Sequence, residues 1–98
     1  MKAATRLQGI RDEWAVRKSD LSDALTYNRR LWTVLVSSAT RPENPLPEPV
    51  KANIGTLGMF IFNQTMAIHA EPEPTKLAVL VNINREIAAG LRTMAQAA

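Results

Sequence analysis

The stretch "LTYNRRLWTVL", Leu25–Leu35, decides how the chain folds, because it places an amide and two arginines directly before a tryptophan. Such a cluster can either bind a phosphate backbone or hold one helix against another through side-chain contacts. On a helix, Asn28 and Trp32 are four residues apart and share a face, whereas Arg29 and Arg30 turn outward. The spacing therefore predicts that the amide and the indole are architectural and that only the arginines are free to meet a partner.

The same helical spacing continues through three segments of the chain. Steps of four and three residues predict three inward stripes, namely Leu21, Leu25, Asn28, Trp32, Leu35 and Ala39; Val50, Ile54, Leu57, Ile61, Gln64 and Ile68; and Leu77, Val81, Asn84, Ala88, Leu91 and Ala95. Each stripe contains one amide. A buried amide can fix the register between helices, so we expect Asn28, Gln64 and Asn84 to pin neighbouring helices together.

Proline-rich segments separate these stripes, at residues 41–49 and 71–75. Ser19 and Thr75 are expected N-caps, and Pro47 suits a first helical turn. The pattern predicts one all-α domain spanning residues 1–98, a small antiparallel bundle of about four helices. We place these helices at about 2–17, 20–39, 47–69 and 75–94.

Composition and charge exclude several classes of function. The chain has 98 residues, no cysteine and one histidine, so thiol chemistry is excluded and we expect no metal site or cofactor. We find no nucleophile–base pair and no phosphate-binding loop, and therefore expect no catalytic residues and no enzyme activity. The net charge of +3 is spread along the chain. No segment approaches the roughly 20 apolar residues of a membrane span, and no signal peptide is evident, so we expect a cytoplasmic protein without a membrane partner.

The third predicted helix carries apolar residues outside its inward stripe. Met59, Phe62 and Met66 lie on a neighbouring face, beside Gly55 and Gly58. A mid-helix glycine costs about 1 kcal/mol relative to alanine, so something should need the close approach that it allows. The helix is either buried on all sides or has an exposed partner face. Methionines adapt to partners of different shape, which suits a surface that receives an amphipathic helix.

Four segments in this order resemble the FlaF family of flagellar biosynthesis regulators. They are "ALTYNRRLWTVL" (residues 24–35), "PENPLP" (42–47), "IGTLGMFIF" (54–62) and "LVNINREIAAGL" (80–91). The sequence departs from the family pattern at Asn82, where aspartate is frequent, and at Met59-Phe60, where Leu-Trp is common. Family members usually carry a longer N-terminal segment, so we expect this chain to be short or trimmed there.

The resemblance implies a non-enzymatic cytoplasmic protein tied to flagellin production and secretion, alongside the translational regulator FlbT. It leads to the hypothesis of a chaperone-like adaptor that binds flagellin and couples its synthesis or secretion to filament assembly. Terminal flagellin segments are amphipathic and helix-prone, so a groove flanked by Met59, Phe62 and Met66 is the expected binding site. The expected rim residues are Arg29, Arg30 and Arg85.

Two alternatives stay open. The first is an RNA-binding regulator of flagellin expression, which would use Arg29, Arg30, Arg41, Arg85 and Arg92 for phosphates. Its mild charge and few aromatic residues for base stacking count against a nucleic-acid partner. The second is a homodimer in which the apolar third helix packs against its own copy.

Overall fold

The computed structural model describes residues 2–97, with side chains as far as Thr93. It consists of helices α1 (Lys2–Asp12), α2 (Trp14–Arg17), α3 (Leu21–Ala39), α4 (Glu48–Ala70) and α5 (Leu77–Ala97). Short 3-10 turns, Lys18–Asp20 and Pro74–Lys76, precede α3 and α5. There is no strand within this range, and the predicted fold class, a small all-α bundle, is confirmed.

The first predicted helix, 2–17, is interrupted in the structure. The backbone of Glu13 leaves the helical region, with φ −119° and ψ 43°, and α2 restarts on its carbonyl. Between Asp12 and Arg17 the large apolar side chains are Trp14 and Val16. A straight helix continued through these residues would therefore bury little apolar surface. The break instead turns the chain back and brings the guanidinium of Arg17 against Gly9.

The expected caps also differ from those observed. Ser19 and Thr75 lie inside the two 3-10 turns, and α3 begins after Asp20 without a side-chain capping bond. Pro47 is the residue before α4, and Pro49 occupies its first turn. A 3-10 turn satisfies terminal N–H groups through tighter backbone bonds, so a side-chain cap is dispensable at these starts.

Helix α4 runs antiparallel to its two long neighbours. On one side Gly58 lies against α3, with Trp32 Cε3 3.8 Å from the position of a Cβ at that glycine. On the other side the Gln64 amide donates to the carbonyl of Lys76, just before α5, at 3.4 Å. Helix α1 packs against α5 and α3.

An aliphatic core fills the space between these helices. Its largest fully buried side chains are Leu7, Ile10, Leu25, Trp32, Ile54, Ile61, Ile68, Leu77, Leu80 and Val81. The three predicted stripes supply most of this set. The side chain of Ala95, at the end of the third stripe, lies outside the described residues. Burial of each Leu or Ile contributes about 1.5–3 kcal/mol, so the stripes supply most of the driving force for folding.

Candidate functional site

The amide and indole of the opening stretch form a buried network with α5. The Trp32 indole Nε1–H donates to Asn84 Oδ1 at 2.6 Å, and Asn84 Nδ2 donates to Asn28 Oδ1 at 2.7 Å. All three side chains are buried. An indole N–H can only donate, so it fixes the orientation of the Asn84 amide, which in turn fixes that of Asn28. We call these three residues the amide triad.

One atom of the triad has no partner within the described residues. Asn28 Nδ2 is buried and makes no hydrogen bond. Because Asn84 donates to Asn28 Oδ1, rotating the Asn28 amide would place two N–H groups face to face. Asn28 is therefore the weaker end of the triad, with one satisfied polar atom, while both amide atoms of Asn84 are paired.

A second stripe on α4 faces away from the core. Gly55, Met59, Phe62 and Met66 follow one another at steps of four, three and four residues, which is the spacing of a helix-packing seam. Met59 is 61% exposed and Met66 is 70% exposed. Phe62 is half-buried and packs against the edge of the core. We call these four residues the outer stripe.

Two cavities lie beside the outer stripe, on the side of α4 that faces α3. At one end a cavity of about 400 Å³ is lined by Arg29, Thr33, Phe62, Thr65, Met66 and His69. At the other end a cavity of about 470 Å³ is lined by Thr40, Pro42, Glu48, Lys51, Ala52 and Gly55. We call the surface that runs along α4 from one cavity to the other, past Met59, the outer groove. The cavities are lined by residues of α3, α4 and the loop between them, and a helix laid along this surface could reach both.

The two glycines on α4 have different surroundings. A Cβ at Gly58 would collide with Val36 Cγ2 on α3, so the close packing of these two helices depends on that glycine. A Cβ at Gly55 would meet nothing within 4 Å. The sequence predicted that something needs the close approach at both positions. Within the described residues α3 needs it at Gly58, and Gly55 opens onto the outer groove.

The predicted rim arginines lie on two different parts of the bundle. Arg29 lines the outer groove, and Arg30 is exposed one position further along α3. Arg85 lies on α5, where its charge acts on Asp12 at the end of α1. A hydrogen bond from the Gln8 amide holds the pKa of the Asp12 carboxyl below its usual value, and the charges of Arg11 and Arg85 add to that effect. Arg85 therefore belongs to the α1–α5 side of the molecule.

Two features near the predicted site did not emerge from the sequence. Lys51 is buried, and its ammonium group donates to the Arg41 carbonyl at 2.9 Å, so it ties the start of α4 to the end of α3.

An apolar cleft of about 400 Å³ also separates α4 from the second half of α5. Its lining includes Leu57 and Leu91, which the sequence placed on inward stripes as ordinary core positions.

Within residues 2–97, none of the helices combines the length and the hydropathy that crossing a membrane requires. In the same part of the chain, no three or more His, Cys, Asp and Glu side chains are grouped where they could hold a metal ion.

The fold and the groove define a small helical bundle with an accessible apolar surface. The family model of the flagellar protein FlaF matches residues 1–91. The chain therefore belongs to the FlaF family, a flagellar regulatory family that is not a known enzyme family, and its role is related to the flagellum. A search of curated proteins and a search of solved structures found no match to the chain.

Proposed function

We propose that this protein binds flagellin in the cytoplasm, in the manner of a chaperone or adaptor, and thereby couples flagellin synthesis or secretion to filament assembly. The observation that carries the proposal is the outer stripe of α4. Met59 and Met66 are exposed on it, with Phe62 between them at the edge of the outer groove. Membership of a flagellar family makes a flagellar protein the natural client.

The chemistry of the outer stripe suits a helical client. Exposed methionines offer apolar contact in several side-chain conformations, so the surface can adapt to the client's own side chains. A helix laid along the groove would cover these methionines and bury its own apolar face at the same time. Such cover would keep an aggregation-prone segment of flagellin from polymerising before export.

Calorimetric titration with the cognate flagellin tests this proposal. The variant Met59→Asp/Met66→Asp introduces two charges at exposed positions, so the bundle should remain folded while binding weakens at least tenfold. We choose these two positions because Phe62 also packs against the core, and a charge there would disturb folding as well.

A matched control is available on α2. Val16 is 80% exposed and lies outside the residues that line the outer groove, so Val16→Asp changes an exposed apolar residue on a helix that is not part of the proposed site. It should leave the affinity unchanged. Equal affinities for the wild type, the double variant and the control would reject the outer groove as the flagellin site.

A further inference from the structure

The charged residues that line the outer groove are Arg29 at one end and Lys51 with Glu48 at the other. The sequence contains no Asp or Glu from residue 24 to residue 40 on the α3 side, and none from residue 49 to residue 70 on the α4 side. The basic residues of these two segments are Arg29, Arg30 and Lys51. Lys51 is buried and its ammonium group donates to the Arg41 carbonyl, which leaves the two arginines as the exposed cations. Glu48 enters only at the far end, where one of its carboxylate oxygens lies 3.9 Å from Lys51 Nζ.

The two arginines on α3 are not used by the fold. Within the described residues neither Arg29 nor Arg30 takes part in an ion pair, and both are exposed. Arg17, by contrast, lies near both Glu13 and Asp20. Arg29, which lines the groove, and Arg30, the next residue along α3, therefore have no counter-charge among the described residues.

From this charge pattern we infer that the outer groove binds an amphipathic helix of a partner protein, with an apolar seam flanked by Asp and Glu. The seam covers Met59 and Met66, and the carboxylates meet Arg29 and Arg30. Opposite charges at the rim of an interface orient the partner and reject helices flanked by Lys or Arg. The inference rests on the proposed function for the location of the surface, and it adds the chemical class of helix that the surface accepts.

The open space at Gly55 indicates how this helix lies. Between Ala52 and His69 the groove side of α4 spans about 25 Å at 1.5 Å per residue, enough to hold about 17 residues of a straight helix. The bulky Met59 and Met66 hold the partner away at one end. Beside Gly55 no side chain intervenes, so the partner's backbone can approach α4 closely there.

Synthetic helices test the charge requirement without flagellin. Three 18-residue stapled peptides would share one Leu/Ala seam and differ only in flanking Glu, Gln or Lys. In low salt we expect the Glu-flanked peptide to bind at least tenfold more tightly than the Lys-flanked one by fluorescence anisotropy. The preference should shrink as salt is added, because exposed charges are screened. Equal binding of the three peptides would overturn the inference.

Charge-reversal variants identify which arginines cause the preference for the Glu-flanked peptide. The variant Arg29→Glu/Arg30→Glu should reverse the preference, so that the Lys-flanked peptide becomes the tighter one. Arg85→Glu/Arg92→Glu makes the same charge change on α5 and should preserve the original order. Gly55→Ala should weaken the Glu-flanked peptide about fivefold or more, whereas Gly90→Ala, which also adds a Cβ in open space, should not. If the preference is reversed by Arg85→Glu/Arg92→Glu and not by Arg29→Glu/Arg30→Glu, the peptide binds on α5 and the inference is wrong.

Other occupants give distinct results. A salt-sensitive complex with single-stranded RNA that competes with the peptide, and that is tighter than the peptide complex, would make nucleic acid the partner. Self-association by sedimentation that Met59→Asp abolishes, without peptide binding, would make it a second copy of the chain. Either result contradicts the inference.

The inference and the proposed function can fail separately. If the Glu-flanked peptide binds selectively and flagellin does not bind, the client is a different protein and the charge rule stands. If flagellin binding depends on Met59 and Met66 and is unaffected by Arg29→Glu/Arg30→Glu, the proposed function stands and the charge rule is wrong.

Discussion

The inward and outward stripes of α4 lie on one helix and differ in what they contact. Inward, Ile54, Ile61 and Ile68 are completely or almost completely buried. Outward, Met59 and Met66 are mostly exposed. Branched isoleucine side chains have few rotamers and suit a neighbour of fixed shape, whereas methionine adapts to a neighbour whose shape varies. The composition of each stripe thus matches a different kind of contact.

The two glycines of α4 repeat this comparison on a smaller scale. The space beside Gly58 is occupied by the side chain of Val36, a residue of the same chain. Gly55 has space beside it within the described structure. A residue that is unfavourable in a helix persists without strain at both places, but the fold accounts for only one of them. The difference separates architecture from a surface with another use, and substitutions can test that separation.

The largest expected loss of stability comes from the side chain that joins α3 to α5. Trp32→Ala should lower the free energy of unfolding by about 3–5 kcal/mol, because it leaves a large cavity and strands Asn84 Oδ1. Urea denaturation followed by circular dichroism measures it. Val34→Ala, at an exposed position of the same helix, should change stability by less than about 0.5 kcal/mol. If the two variants lose similar amounts of unfolding free energy, the inward and outward faces of α3 have been assigned wrongly.

The amide triad should respond unequally to the loss of its two amides. Asn84→Leu removes both hydrogen bonds of the triad and leaves the Trp32 indole N–H unpaired, at about 1–3 kcal/mol for each stranded buried group. Asn28→Leu strands only Asn84 Nδ2 and also removes the unpartnered Asn28 Nδ2. We therefore expect a smaller loss from Asn28→Leu, although both side chains are completely buried.

Urea denaturation of the two single variants and the double variant checks this ordering. The double-mutant cycle should show coupling between Asn28 and Asn84, because each single change strands a group on the other. Equal losses in the single variants would argue against the hydrogen-bond directions assigned to the triad.

The packing of α3 on α4 can be disturbed with one methyl group. Gly58→Ala should destabilise the bundle by about 1–3 kcal/mol, since the new Cβ collides with the stiff, branched side chain of Val36. The gain in helix propensity offsets only part of that loss. Thermal denaturation gives the change, and Val36→Ala in the same chain should restore most of the stability by removing the colliding methyl. Failure of this rescue would show that Gly58 is needed for another reason.

The sequence predicted the inward architecture well, because helix period alone decides which residues share a face. Asn28, Trp32 and Asn84 stood on predicted stripes, and the structure places them in one buried network. The break at Glu13 was not predicted, since Trp14 continues the apolar spacing of Leu7 and Ile10. Spacing records which residues can be buried together and does not show where the chain turns to bury them.

The candidate site was only partly predictable for a related reason. Met59, Phe62 and Met66 were identified as an additional face of α4, but whether another helix covered them depended on tertiary packing. The same limit applies to Arg85, which was grouped with Arg29 and Arg30 and lies instead where its charge reaches Asp12. Residues on different helices share a surface only through the tertiary arrangement, and a periodic pattern does not contain that arrangement.

The smallest effect that we predict tests the glycine comparison most directly. Gly55→Ala and Gly90→Ala each add a Cβ where nothing lies within 4 Å, so each should raise the free energy of unfolding by up to about 1 kcal/mol. Thermal denaturation at two protein concentrations measures the change. If Gly55→Ala lowers stability only at the higher concentration, a second copy of the chain occupies the outer groove. If it raises stability at both concentrations and also weakens a bound helix, the fold does not require Gly55, and the close approach that this glycine permits is used in binding a partner.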